Sequence, residues 1–106
     1  MPARTLLRFA LLGALVTTPA LAAEVTVGQK GQKFSEESVT LKAGDSIKFQ
    51  NDDNISHNVL SKGPGGNKNA GLQKAGDAST ILYDKPGEYE VVCGIHPKMK
   101  LHVKVD

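Results

Sequence analysis

Short runs in which apolar and polar residues alternate are the sequence feature that most constrains the fold of this chain. A period of two residues is typical of β-strands with one buried face. Turn sequences rich in Gly, Pro, Asn and Asp separate the runs. Several short strands at such spacing predict an all-β protein, a Greek-key β-sandwich of about seven or eight strands. The alternating runs are 25–27, 39–41, 47–49 and 101–105, further strand-like runs are 56–61, 80–83 and 89–93, and the turns are 42–45, 51–54 and 85–88.

One stretch, 62–77, lacks this alternation. It is rich in Gly, Asn and Lys, and Leu72 is its one large apolar residue. Without apolar side chains at every second position, the stretch has no face to bury. We therefore predict a long surface loop with room for one helical turn.

The N-terminus has the layout of a secretory signal peptide. Two basic residues, Arg4 and Arg8, precede an apolar run over 9–16, and the small residues Ala20 and Ala22 follow. The apolar run is too short to span a bilayer. We expect residues 1–22 to be a signal peptide cleaved after Ala22, and residues 23–106 to be a single domain in the periplasm with no membrane insertion after cleavage. The alternative is that this segment forms an N-terminal helix of the domain.

Charge and motifs exclude several functions. The formal net charge is +2, but Arg4 and Arg8 supply the whole excess, so the expected mature chain carries 11 lysines against 11 acidic residues. A nucleic-acid-binding protein needs a clear basic excess, so no nucleic-acid partner is expected. The chain also lacks a phosphate-binding Gly-rich loop, a G-x-S-x-G elbow and an H-E-x-x-H helix. The common hydrolase and nucleotide-binding signatures are therefore absent, and we expect a protein that is not an enzyme.

The size of the expected domain suggests a metal. Small exported domains usually need disulfides or a bound metal for stability. The chain has one cysteine, Cys93, so it cannot form an internal disulfide. A lone cysteine in an oxidising compartment is also a liability unless its sulfur is occupied.

A set of metal-binding side chains follows Cys93 at intervals of three residues. Cys93, His96 and Met99 form a C-x-x-H-x-x-M sequence at the end of a predicted strand, where a tight loop allows all three to point at one centre. His57, at the start of another strand, is the candidate for a fourth ligand. If those two strands belong to facing sheets, His57 and Cys93 lie at the same end of the sandwich. Two histidines, a thiolate and a thioether are the donor set of a blue-copper electron-transfer site.

These residues stand in a sequence that resembles the cupredoxin family, particularly its small bacterial members, the amicyanins and pseudoazurins. The resemblance covers essentially the whole expected mature chain, and the short gap between His96 and Met99 is similar to that of amicyanins. The matching motifs are Phe34, 39–41, Gly44-Asp45, 47–51, His57-Asn58-Val59 and Pro86-Gly87-Glu88-Tyr89. The sequence departs from the family at Lys98, where amicyanins have Phe, and at Val91, where many members have an aromatic residue.

The resemblance implies a function and a role for each site residue. One copper ion, cycling between Cu(II) and Cu(I), would have His57, Cys93 and His96 as equatorial ligands and Met99 as the axial ligand. Asn58 would tie the His57 segment to the Cys93 loop through side-chain hydrogen bonds. The protein would be a monomer that passes single electrons to and from a redox protein, such as a c-type cytochrome or a periplasmic dehydrogenase. The electrons would leave through a partly exposed His96.

Less specific interpretations remain open for individual residues. Cys93 and Met99 could be ordinary core residues, and His57 could be a hydrogen-bonded histidine at a turn. Asp52 and Asp53 are interpreted as turn residues, and His102 as a member of the polar face of its strand. A different function also fits the same four ligands, namely a periplasmic copper carrier or copper-homeostasis protein that passes on the ion rather than the electron.

Overall fold

The structure, a computed structural model, describes residues 21–106, and over this range the chain forms two packed β-sheets without helices. The all-β sandwich predicted from the sequence is confirmed. The described residues contain nine strands rather than seven or eight, because a two-residue strand and an edge strand were not expected. The strands are β1 (Glu24–Lys30), β2 (Lys33–Phe34), β3 (Ser38–Leu41), β4 (Asp45–Asn51), β5 (His57–Lys62), β6 (Lys68–Gln73), β7 (Ala78–Tyr83), β8 (Gly87–Cys93) and β9 (Lys100–Val105).

The first sheet has the strand order β2-β1-β4-β7, and the second has the order β3-β9-β8-β5-β6. Within them β1 is parallel to β4 and β3 is parallel to β9, while the other neighbours are antiparallel. The strands carrying His57 and Cys93 are thus neighbours in one sheet, with Val59 opposite Cys93. The expectation that they face each other from two sheets is wrong. The two residues still share one end of the sandwich, since antiparallel pairing puts the start of β5 beside the end of β8.

The core lies between the sheets and follows from the alternation in the sequence. Along β9, for example, the odd-numbered residues from Leu101 to Val105 are buried and the even-numbered ones are exposed. Each fully buried aliphatic side chain contributes about 1.5–3 kcal/mol relative to an exposed one. Val91 is completely buried in this core and so replaces the aromatic residue of many family members without leaving the interior.

Two tyrosines close the interior at the end away from Cys93. Their rings meet edge to face with centroids 5.0 Å apart. The hydroxyl of Tyr83 on β7 donates to Ser61 Oγ on β5, and that of Tyr89 donates to the main-chain oxygen of Lys85. Tyr83 thereby supplies a buried hydrogen bond between the two sheets. Both tyrosines belong to the buried core.

The segment 62–77 is not one long loop, because it contains β6, the edge strand next to β5. The sequence conceals this strand because only one of its six residues, Gln73, is buried. Gly71 adopts a positive φ of 82°, and the register with β5 shifts between Val59 and Leu60. An edge strand with polar side chains and an irregular register has no period-two signal.

Residues 1–20, which make up most of the predicted signal peptide, lie outside the described residues. Among residues 21–106, no helix is long and apolar enough to cross a membrane.

Candidate metal centre

Three side chains converge where β5 begins and β8 ends. His57 is the first residue of β5, Cys93 is the last residue of β8, and His96 lies in the loop that leads from β8 to β9. The Nδ1 atoms of His57 and His96 lie 3.8 Å and 3.9 Å from the Cys93 sulfur. All three potential ligand atoms are within 4.8 Å of one another. The structure therefore brings together three of the four residues predicted as ligands.

These distances fit a metal ion bound by all three atoms. With bonds of about 2.0 Å to nitrogen and about 2.3 Å to sulfur at trigonal angles, nitrogen and sulfur lie about 3.7 Å apart. The imidazole rings contact each other edge to face, with centroids 5.2 Å apart and planes at 65°. Two neutral imidazoles and one thiolate are a donor set suited to copper.

The surroundings of Cys93 favour the thiolate, the form of cysteine that binds metals. Burial of the side chain raises its pKa, but hydrogen bonds outweigh burial. The largest contributions come from the backbone N–H groups of Asn58 and His96. The net effect lowers the pKa of Cys93 to about 7. The Asn58 N–H lies 3.3 Å from the sulfur.

His57 is held at its second ring nitrogen by a carboxylate. Its Nε2 lies 2.8 Å from Asp53 Oδ2, and the imidazole is fully buried. With Nε2 donating to Asp53, the lone pair of Nδ1 is free to bind an ion, so this hydrogen bond selects the tautomer that the site needs.

Asp53 also reaches the turn between β1 and β2. Its carboxylate accepts hydrogen bonds from the N–H groups of Gly31 at 3.2 Å and Gln32 at 3.4 Å. Both turn residues have positive φ, 62° and 57°. The hydrogen bonds from His57 and then from Gly31 hold the pKa of Asp53 below its ordinary value. Sequence reasoning treated Asp53 only as a turn residue, although a carboxylate four residues before a candidate ligand was an available signal.

Met99 and His96 differ in exposure. Met99 belongs to the buried core with 1% of its surface exposed, and its N–H donates to the His96 main-chain oxygen across 3.0 Å, which tightens the loop. His96 is half-buried, whereas His57 and Cys93 are buried. His96 is therefore the histidine of this cluster with an edge toward solvent.

Asn58 contacts the centre in another way than expected. The link to Cys93 runs through the Asn58 backbone, since its side-chain amide donates instead to Asn69 Oδ1 on β6. Its side-chain oxygen faces Gly94, where any Cβ atom would come within 2.9 Å of it. Glycine at position 94 thus keeps the two segments close.

His102, the third histidine, lies outside this cluster. Its exposed side chain has Nε2 3.4 Å from Glu88 Oε1 on the outer face of the second sheet. This position agrees with its interpretation as a member of the polar face of β9.

Known proteins that are similar to this chain include copper proteins with the same fold. The Cupredoxin-like domain family matches residues 4–105. Amicyanin-alpha of Methylorubrum extorquens is 32% identical over 98 residues, covering 90% of this chain and 81% of that protein. The crystal structure of amicyanin from Paracoccus versutus superposes with a TM-score of 0.70 at 30% identity, covering 84% of this chain and 85% of the other. The Cu-containing nitrite reductase of Thermus scotoductus superposes with a TM-score of 0.71 at 26% identity, over 85% of this chain but only 23% of the reductase.

The fold and the converging histidines and cysteine define a small copper protein of the β-sandwich class. The chain belongs to the cupredoxin family. The resemblance inferred from the sequence is confirmed, as is copper as the cofactor. Proteins of this family in general transfer electrons.

Proposed function

We propose that this protein is a periplasmic type 1 copper protein that shuttles single electrons between redox partners. His57, Cys93 and His96 are proposed as the equatorial ligands and Met99 as the axial ligand. The observation that carries the proposal is the convergence of two imidazole Nδ1 atoms and one cysteine sulfur within 4.8 Å. A bound copper ion supplies the one-electron Cu(II)/Cu(I) couple.

The chain's own part is to hold its ligand atoms in a fixed arrangement. His57 is oriented by Asp53, the Cys93 sulfur by the Asn58 N–H, and His96 by the tight turn that the Met99 N–H closes. Because His57, Cys93 and Met99 are buried, they have little freedom to rearrange. A site that moves little between two oxidation states suits electron transfer and supports a carrier rather than an enzyme.

The surface around His96 supports docking of a partner protein. Three large apolar side chains are exposed near the ligands, and we call them the apolar face: Ile55 (39% exposed), Leu72 (60%) and Ile95 (49%). Ile95 directly precedes His96, and Leu72 is the cross-strand partner of Asn58. We propose that a partner covers this face and exchanges electrons through the His96 edge.

The partner is proposed to be an acidic redox protein, a c-type cytochrome or a periplasmic dehydrogenase. Lys98 is exposed two residues after His96 and takes the place of the apolar Phe of amicyanins. A positive charge in the loop that carries His96 steers an acidic partner even when the whole protein is neutral. Lys68 is less available to a partner protein. It lies at the end of β6 away from His57, and its Nζ donates a hydrogen bond to the main-chain oxygen of Leu82 on β7.

Export is part of the same proposal. Residues 1–22 are proposed to be a signal peptide that is removed, and residues 23–106 to act as a monomeric domain in the periplasm. The order of charged, apolar and small residues supports this proposal. Mass spectrometry of the protein recovered from a periplasmic extract tests it, since a chain that still carries residues 1–22 contradicts the cleavage site.

Absorption spectroscopy after addition of Cu(II) tests the metal centre. A thiolate bound to Cu(II) gives an intense visible band, which we expect to disappear in Cys93→Ser. Met99→Gln is expected to keep the colour and shift the redox potential, because the axial ligand tunes it. A Cys93→Ser variant that stays blue refutes the assignment of the ligands.

Redox cycling separates electron transfer from transport of the ion. An electron carrier keeps its copper through repeated reduction and oxidation in the presence of a chelator, whereas a copper carrier loses it to the chelator or an acceptor protein. The burial of His57 and Cys93 favours retention. Loss of the ion during the first cycles supports the copper-homeostasis alternative.

A further inference from the structure

The edge strand β6 has one fully buried residue. Of its six residues only Gln73 is buried, with 1% of its surface exposed, while Ala70 packs partly buried against the core. The strand has a single neighbour in its sheet, β5, and the register between them is irregular. A strand held by one irregular ladder depends strongly on its remaining anchors. The bonds of Gln73 therefore decide much of how firmly β6 is held.

Gln73 is hydrogen-bonded across the interior to the other sheet. Its Nε2 donates to the Phe49 main-chain oxygen at 2.9 Å, and its Oε1 accepts a hydrogen bond from Gln29 Nε2. Its main-chain oxygen accepts from Asn51 Nδ2 at 3.1 Å. Gln29 lies on β1, and Phe49 and Asn51 lie on β4. One residue of the second sheet is thus tied at three points to the first sheet.

One polar atom of this arrangement is buried without a hydrogen-bond partner. Gln29 is completely buried, and its Oε1 has no hydrogen-bond partner. A buried acceptor without a partner costs free energy, and two apolar residues of the same shape avoid that cost. Two buried glutamines that hydrogen-bond to each other point to a role in specifying position, as buried polar groups do in some other proteins.

Strand β6 pairs with the part of β5 that carries His57 and Asn58. In the β5–β6 ladder Gln73 is the direct partner of His57, and Leu72 is the partner of Asn58. Asn69 on β6 also accepts the hydrogen bond from the Asn58 side chain. Movement of β6 would therefore displace both His57, a proposed metal ligand, and Asn58, whose N–H contacts the Cys93 sulfur.

We propose that Gln29 and Gln73 form a latch between the sheets, and that they are positioning residues for His57 and Asn58 at the metal centre. The latch fixes β6 against the first sheet, and β6 in turn fixes the start of β5. This inference rests on the proposed metal centre for its functional half. Its structural half, the control of β6 by Gln29, stands independently of the metal.

Amide hydrogen exchange of the metal-free protein tests the structural half. Gln29→Met keeps the length and the apolar volume of the side chain but removes the bond to Gln73. Gln29 Oε1, which has no partner, is lost and Gln73 Oε1 loses its partner instead, so the number of buried oxygens without a partner stays the same and the variant is expected to fold. Its β6 amides should exchange about fivefold to tenfold faster than those of the unchanged protein, relative to β8 and β9. The matched control, Tyr83→Phe, removes a buried hydrogen bond between the sheets at the other end and should leave that ratio unchanged. Equal acceleration throughout the second sheet in Gln29→Met overturns the latch.

Spectra of the copper-loaded protein test the functional half. Gln29→Met, and Gln73→Met as a second variant, should shift the visible band and the Cu(II) paramagnetic resonance parameters, whereas Tyr83→Phe should not. Identical spectra in a blue protein overturn the positioning role and leave the proposed function intact. An unchanged protein that forms no coloured complex overturns the proposed function instead, and the exchange experiment still decides whether the latch exists.

Discussion

The two ring nitrogens of His57 serve opposite purposes: Nε2 donates to Asp53 Oδ2 across 2.8 Å, while Nδ1 lies 3.8 Å from the Cys93 sulfur. One nitrogen fixes the ring and its tautomer, and the other is left to bind an ion. Because Asp53 also accepts from the Gly31 and Gln32 N–H groups, the orientation of His57 is tied to the turn between β1 and β2. The metal centre therefore depends on a part of the chain that contributes no ligand.

Replacing Asp53 should weaken metal binding without removing a ligand. We expect Asp53→Asn to bind copper about 10- to 100-fold more weakly, because a neutral amide orients the ring poorly and lowers its basicity. Competition titration with a chelator measures the change. Asp52→Asn is the matched control, since Asp52 is adjacent in sequence but exposed and does not contact His57. Equal losses in both variants would show that the turn as a whole, rather than the Asp53–His57 bond, is responsible.

Bound copper should stabilise the fold strongly. A ligand that binds only the folded state contributes RT ln(1 + [L]/Kd), about 4 kcal/mol when the free ligand is a thousand times Kd. For a domain of this size that corresponds to a rise in Tm of about 15 °C or more. Differential scanning calorimetry of the metal-free and the copper-loaded protein measures the difference. Equal melting temperatures would contradict the idea that the metal compensates for the missing disulfide.

Lys98 should govern the rate of association with an acidic partner. Lys98→Glu is expected to slow electron transfer with an acidic cytochrome at low salt while leaving the redox potential nearly unchanged. The rate for the unchanged protein should fall as salt rises, because charges more than about 8 Å apart are screened at physiological ionic strength. Stopped-flow measurements across ionic strength provide both results. If the rate depends neither on salt nor on the substitution, the charge of Lys98 does not steer association, and docking by the apolar face alone explains the rate.

Asp45 should contribute to the pH dependence of stability. Hydrogen bonds from the N–H groups of Ala23 and then Lys42 hold the pKa of its carboxyl below the ordinary value of 3.8. A carboxyl whose pKa is lower in the folded state stabilises the fold fully above the unfolded pKa. That contribution is lost as the pH falls through the folded pKa. Asp45→Asn should thus be less stable than the unchanged protein at neutral pH.

Urea unfolding at neutral pH and at pH values below 3.8 measures this difference, which should shrink in acid. Asp84→Asn serves as the control, because the ion pair of Asp84 is exposed and spans 3.9 Å to Lys68. A stability difference for Asp45→Asn that is the same at every pH would show that the loss comes from the turn geometry and not from the charge.

The sequence determined by itself whatever depends on residues close together in the chain. Alternation of apolar and polar residues identified most of the strands, since the two faces of a strand are set by neighbouring residues. The spacing of Cys93, His96 and Met99 indicated one loop as a binding site. The family motifs indicated His57 as a further ligand and copper as the metal.

Only the tertiary structure decided the features that depend on which strands become neighbours. The strand β6 has one buried residue, so its sequence shows no alternation of apolar and polar residues. The strands of His57 and Cys93 are neighbours within one sheet and do not face each other across the core. The hydrogen bond between Gln29 and Gln73 joins residues 44 positions apart, and the contact of Asp53 with the β1–β2 turn spans 22. Such contacts follow from the pairing of strands within each sheet and the packing of the two sheets, and local composition carries no record of either.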